Sequence, residues 1–81
     1  MESGGRMKVR VECHAGFRAD EEPRALEIDG RRLRVLGIAR RWQDVGARYF
    51  QIRAEDGHRY LLRHDEQTDE WLVLEVQQAD G

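Results

Sequence analysis

Cysteine, serine and lysine each occur once in this chain, as Cys13, Ser3 and Lys8. No apolar run approaches the roughly 20 residues of a membrane span. Each scarcity removes a class of explanation. A lone Cys13 cannot form an internal disulfide, so the chain is expected to fold in a reducing compartment, the cytoplasm by default. No charged-then-apolar leader points to export. Ser3 sits in a tail without apolar anchors, far from the rigid base–nucleophile geometry of a Ser-His-Asp site. Cys13 falls on the apolar side of an alternating segment, and His14 beside it points to the opposite face.

Metal chemistry fails on spacing. Neither Cys-x-x-Cys nor His-Glu-x-x-His is present. His58 and His64 share strand parity, but six residues at about 3.3 Å each set them roughly 20 Å apart. Zinc ligands converge on one atom at about 2 Å. Asp65, Glu66, Asp69 and Glu70 have the acidity of a calcium loop without its glycine or its twelve-residue spacing. No cofactor, metal or catalytic residue is therefore expected. Paired carboxylates can meet only in the fold, which leaves an enzyme as the third reading.

The chain does carry two Asp-Gly pairs, Asp29-Gly30 and Asp56-Gly57, each opening a run of alternating apolar and charged residues. Asp-Gly tolerates the positive φ angles of a type I′ hairpin turn. Before them, Met7, Val9, Val11 and Cys13 alternate with Lys8, Arg10 and Glu12, a half-buried strand. Ala15 to Glu22 reads as a loop ahead of Pro23, with Phe17 plugging one end of the core. Leu26 and Ile28 mark a short second strand, and Leu33 and Val35 share one face of the next. Beyond Gly37 the apolar parity changes to Ile38 and Trp42, which a β-bulge near Leu36-Gly37 explains. Val35, Ile38, Ala39, Trp42 and Val45 also fit a helical stripe, so residues 38–42 stay open between strand and helix. Arg48, Phe50 and Ile52 then share a face, as do Tyr60 and Leu62. In the last strand Leu72, Leu74 and Val76 are expected inward, with Trp71, Val73 and Glu75 outward.

Six strands with short connections predict an all-β, partly open small barrel, an SH3-like or OB-like meander spanning residues 7–76. Residues 1–6 and 77–81 are expected to be flexible tails, and Met7 is a candidate native start. With 81 residues and 40% hydrophobic content, one small core is the limit.

From Pro23 to Val76 the order of features resembles a family of small uncharacterised bacterial β domains. The matching pieces are Pro23, Gly30-Arg31, Val35 followed by Trp42, Arg48-Tyr49-Phe50, Asp56-Gly57, Tyr60-Leu61-Leu62-Arg63 and Trp71-Leu72. Some members of that family are encoded beside damage-tolerant (Y-family) DNA polymerases, which implies a possible nucleic-acid context. It has no accepted catalytic residues to carry over.

The formal charge of −2 hides an uneven distribution. Ten arginines crowd residues 24–63, while the last 18 residues hold acids and no base. Such a split serves either an anion-binding face or cross-strand ion pairs. The expected function is a non-catalytic interaction module. In the first version its partner is a protein, met at a strand edge or through Trp42, Tyr49 and Trp71. In the second it binds nucleic acid through Arg32, Arg34, Arg40, Arg41, Trp42, Arg48 and Tyr49. A monomer or weak dimer with no membrane contact fits either.

Overall fold

The structure of the protein, a computed structural model, describes residues 7–13 and 22–78. The expectations placed on Ser3, His14, Phe17, residues 1–6 and residues 79–81 of the expected 77–81 tail lie outside the described residues. Six strands follow one another: β1 (Met7–Cys13), β2 (Pro23–Ile28), β3 (Arg31–Asp44), β4 (Ala47–Ala54), β5 (Arg59–Asp65) and β6 (Glu70–Gln77). Each pairs antiparallel with the next, and β1 pairs with β6 to close a barrel. That closing seam is short: Met7 opposite Val73, Lys8 opposite Leu72, Val9 opposite Trp71. The meander curls to closure, one step beyond the partial opening expected.

Alternation builds the core. Leu26, Leu33, Phe50, Ile52, Ala54, Tyr60, Leu62, Trp71 and Val73 form one buried cluster, with Val9, Val11, Cys13, Ile28, Val35 and Ile38 packed against it. Residues 38–42 are strand and not helix, with Ile38 opposite Ile52 and Trp42 opposite Tyr49. The bulge expected near Leu36-Gly37 is present, and a second lies between Ile38 and Arg40. The two extra residues bend β3 so that its first part pairs with β2 and its second part with β4 alone.

The two Asp-Gly turns differ. Asp29 (φ 52°) and Gly30 (φ 77°) are both left-handed, the signature of a type I′ turn. In the second, Gly57 alone is left-handed (φ 88°). Its N–H donates to the Ala54 carbonyl at 3.0 Å, and the Ala54 N–H donates to the His58 carbonyl at 3.0 Å. A longer loop through Glu55 and Asp56 needs one left-handed residue, so the I′ expectation fails there. Asp56 serves instead as an acceptor, taking bonds from the His58 N–H (3.0 Å) and the Tyr60 hydroxyl (2.5 Å).

The face expected for β6 is overturned over Trp71–Leu74, while Glu75, opposite Leu61, turns outward as expected and Val76 stands in register opposite the buried Tyr60. Trp71 and Val73 point into the core, 8% and 1% exposed, and Val76 is largely exposed. Leu61 pairs with Glu75 while Leu62 pairs with Val73, so Leu74 is an unopposed bulge residue. The bulge shifts the phase, and a strictly alternating strand cannot reproduce it.

Candidate functional site

The outer face of β3, β4 and β5 forms a grid set by register. Its first row is Trp42, Tyr49 and Arg63; the second is Arg40, Gln51 and Leu61; the third is Gly37, Arg53 and Arg59. All are cross-strand partners of residues that flank the buried Phe50, Ile52, Tyr60 and Leu62, so alternation turns them outward. Trp42 and Tyr49 stack with ring centroids 5.3 Å apart and planes 2° from parallel. Trp42 remains 41% exposed. The Arg40 guanidinium lies 5.4 Å from the centroid of the Trp42 ring, within cation–π range. Arg63 donates to the Tyr49 hydroxyl, which leads the causes that raise its pKa, and sits 3.6 Å from Asp65.

Four arginines thus share this face. Among the described residues, Arg40, Arg53 and Arg59 have no carboxylate within ion-pair distance. Glu75, opposite Leu61, and Asp65 stand at its border.

The seven residues expected to form one binding face do not stay together. Arg40, Trp42 and Tyr49 belong to the grid. Arg41 pairs with Phe50 in register and so takes the opposite parity, where it meets Glu22 at 3.2 Å. Arg48 follows the same parity, its guanidinium 5.3 Å from the Phe50 ring centroid. These two line a rim cleft of about 320 Å³ together with Glu22, Trp42, Gln43, Tyr49 and Phe50, so Arg41, Trp42, Arg48 and Tyr49 of the expected face do meet at this rim. Arg32 and Arg34 lie beyond both bulges, on the part of β3 paired with β2. Arg32 holds Glu12 through two bonds of 2.9 Å, which lower the Glu12 pKa. The Arg34 backbone N–H donates to Glu55. Cross-strand ion pairing and an anion-ready face therefore both occur, on different walls of one barrel.

Sequence reasoning missed Arg53, Arg59 and Arg63, because only the β4–β5 register places them beside the aromatic stack. It weighed His64 only as a zinc ligand with His58; the structure buries it, 7% exposed, and stacks it on Trp71 with centroids 4.3 Å apart. His64 Nε2 donates to Asp69 at 2.7 Å, tying the β5–β6 turn to the core. Asp69 adopts φ 61° there, and the Asp65 carboxylate accepts from the Gln67 and Thr68 N–H groups. Those bonds lead the causes that lower the Asp65 pKa. This acidic segment is a capped turn. Among the described residues no group of three or more His, Cys, Asp or Glu side chains could hold a metal ion.

Neither the sequence nor the fold of this chain matches a family model, a curated protein or a solved structure.

Proposed function

We propose that the protein is a non-catalytic module that binds single-stranded nucleic acid on the outer face of β3–β5. One observation carries the reading: an exposed, parallel Trp42–Tyr49 stack shares a face with four arginines, three of them without a carboxylate partner among the described residues. Stacked aromatics offer a π surface to any base, and guanidinium groups offer donors to the phosphates between bases. A protein partner loses one of its three expected anchors, since Trp71 is core. The remaining protein reading is strand addition at β3, whose second half pairs with β4 and with no other described strand.

Fluorescence anisotropy of labelled oligo-dT and oligo-rU at low and moderate salt tests the proposal. Trp42→Ala should weaken binding about five- to hundredfold, the range for loss of one stacked base. Absence of binding at low salt, or affinity unchanged in Trp42→Ala, refutes it and leaves strand addition to be pursued by pull-down.

A further inference from the structure

Arg53 and Arg59 stand directly opposite each other in the β4–β5 ladder, side chains on the same outward face. Like charges so placed repel and weaken a sheet. Nothing among the described residues relieves them. Neither lies within ion-pair distance of a carboxylate, and their neighbours along the row are Gly37 on one side and Gln77 on the other. The nearby Glu55 carboxylate is engaged elsewhere, accepting from the Arg34 backbone N–H at 2.9 Å.

The space beside the pair is also shaped. A cleft of about 280 Å³ opens at the double bulge of β3, lined by Leu36, Gly37, Ile38, Ala39, Arg53 and Arg59. Gly37 has no side chain to fill it, and a Cβ built there would meet nothing within 4 Å. Leu36, in the lining, is 57% exposed. One wall is therefore apolar and the other cationic.

We infer that Arg53 and Arg59 form a phosphate clamp: they share one backbone phosphate of the bound strand, whose sugar or base rests against the Leu36–Ala39 bulge. Two guanidinium forks on one phosphate supply several charge-assisted hydrogen bonds and cancel the repulsion between them. This inference rests on the nucleic-acid reading and adds a second anchor and a length to it. Tyr49 and Arg53 are four residues apart on β4, about 13 Å at 3.3 Å each. A stacked strand rising about 3.4 Å per nucleotide spans that distance in roughly four nucleotides, an extended one in fewer. The strand thus runs along β4, from the aromatic stack to the clamp.

The test compares oligo-dT of increasing length on five proteins: wild type, Trp42→Ala, Arg53→Gln with Arg59→Gln, Gly37→Glu, and a charge-matched control, Arg10→Gln with Arg32→Gln. The control arginines lie on β1 and the β2 side of β3 and are paired with Glu27 and Glu12. Wild-type affinity should climb until the oligonucleotide reaches about four nucleotides and then level. The Arg53/Arg59 variant should bind about tenfold or more weakly, lose that climb, and show a salt slope shallower by about 0.7, the share of one phosphate on a single strand. It should also melt higher than wild type, because the opposed charges are gone. Gly37→Glu, an open position with ordinary backbone, should weaken binding similarly by placing a carboxylate against the clamp. Equal loss in the charge-matched control would mean that the pair only adds to a general field, and the clamp is overturned. Loss in Trp42→Ala with none in the Arg53/Arg59 or Gly37 variants overturns the clamp and spares the stacking surface. Failure of wild type to bind any oligonucleotide overturns both.

Discussion

Trp42 and Trp71 occupy opposite environments, and substitution should separate them. Trp71 packs against Phe50 and His64 in the core. Trp71→Ala should cost about 3–5 kcal/mol, most of the stability of so small a domain, read by urea denaturation. Trp42→Ala forfeits one exposed stack and should cost about 1 kcal/mol. A reversed order would mean the assignment of faces is wrong. Tyr60 and Asp56 form a second informative pair. Burial, then the hydrogen bond to Asp56, raises the Tyr60 pKa above its ordinary 10.0. Burial pushes Asp56 up, but the bonds from Tyr60 and the His58 N–H outweigh it and hold the carboxyl below 3.8. In alkali the unfolded chain therefore loses the tyrosine proton first. The stability this pair contributes is complete below about pH 10 and declines as pH climbs toward the folded value. Asp56 contributes above its unfolded pKa and loses that contribution as acid protonates the folded carboxyl. Melting temperatures of wild type and Tyr60→Phe, followed from about pH 8 to 11, should converge as the pH rises. Parallel curves would deny the linkage.

Turns and bulges govern the elements. Gly30 and Gly57 hold φ angles of 77° and 88° with open space around them, so backbone strain alone penalises a side chain. Ala at either position should destabilise by about 1 kcal/mol, measured by chemical denaturation. The two Asp-Gly pairs and the alternation of residues 7–13, 48–52 and 60–62 made six strands legible in the amino-acid order. The bulge at Leu36-Gly37 was legible because a glycine coincides with a change of parity there. The one at Leu74 was not, because Trp71-Leu72-Val73-Leu74 is apolar throughout and an unbroken apolar run carries no phase. The same limit explains the divided binding face. Alternation alone already sets Arg40 and Arg41 on opposite faces; what parity cannot show is that two bulges bend β3 and carry Arg32 and Arg34 to the part paired with β2. No single strand reveals that Arg53, Arg59 and Arg63 join Trp42 and Tyr49 across three strands. The second half of β3 carries two bulges and the adjacent Arg40 and Arg41 along an edge that pairs with no other described strand, features that discourage indiscriminate strand pairing.

Across the whole molecule, the surplus of arginine in the middle of the chain and of acid at its end is only partly cancelled by folding. Lys8 meets Glu70 at 3.2 Å and Arg63 meets Asp65 at 3.6 Å, while the β3–β5 grid keeps its positive character. Native-state hydrogen exchange should find the amides of Met7–Val9 opening with the least free energy among the strands, since three residue pairs hold that seam. Uniform protection around the ring would contradict this. In a hoop of six staves the one diametrically across from β1 is β4, the middle of the grid. The barrel is thus fastened by a light clasp across the ring from β3 and β4, the strands that carry the Trp42–Tyr49 stack, while β5 adjoins β6 and stands nearer to it. Loosening that clasp would unbend the hoop without parting Trp42 from Tyr49 or Arg53 from Arg59.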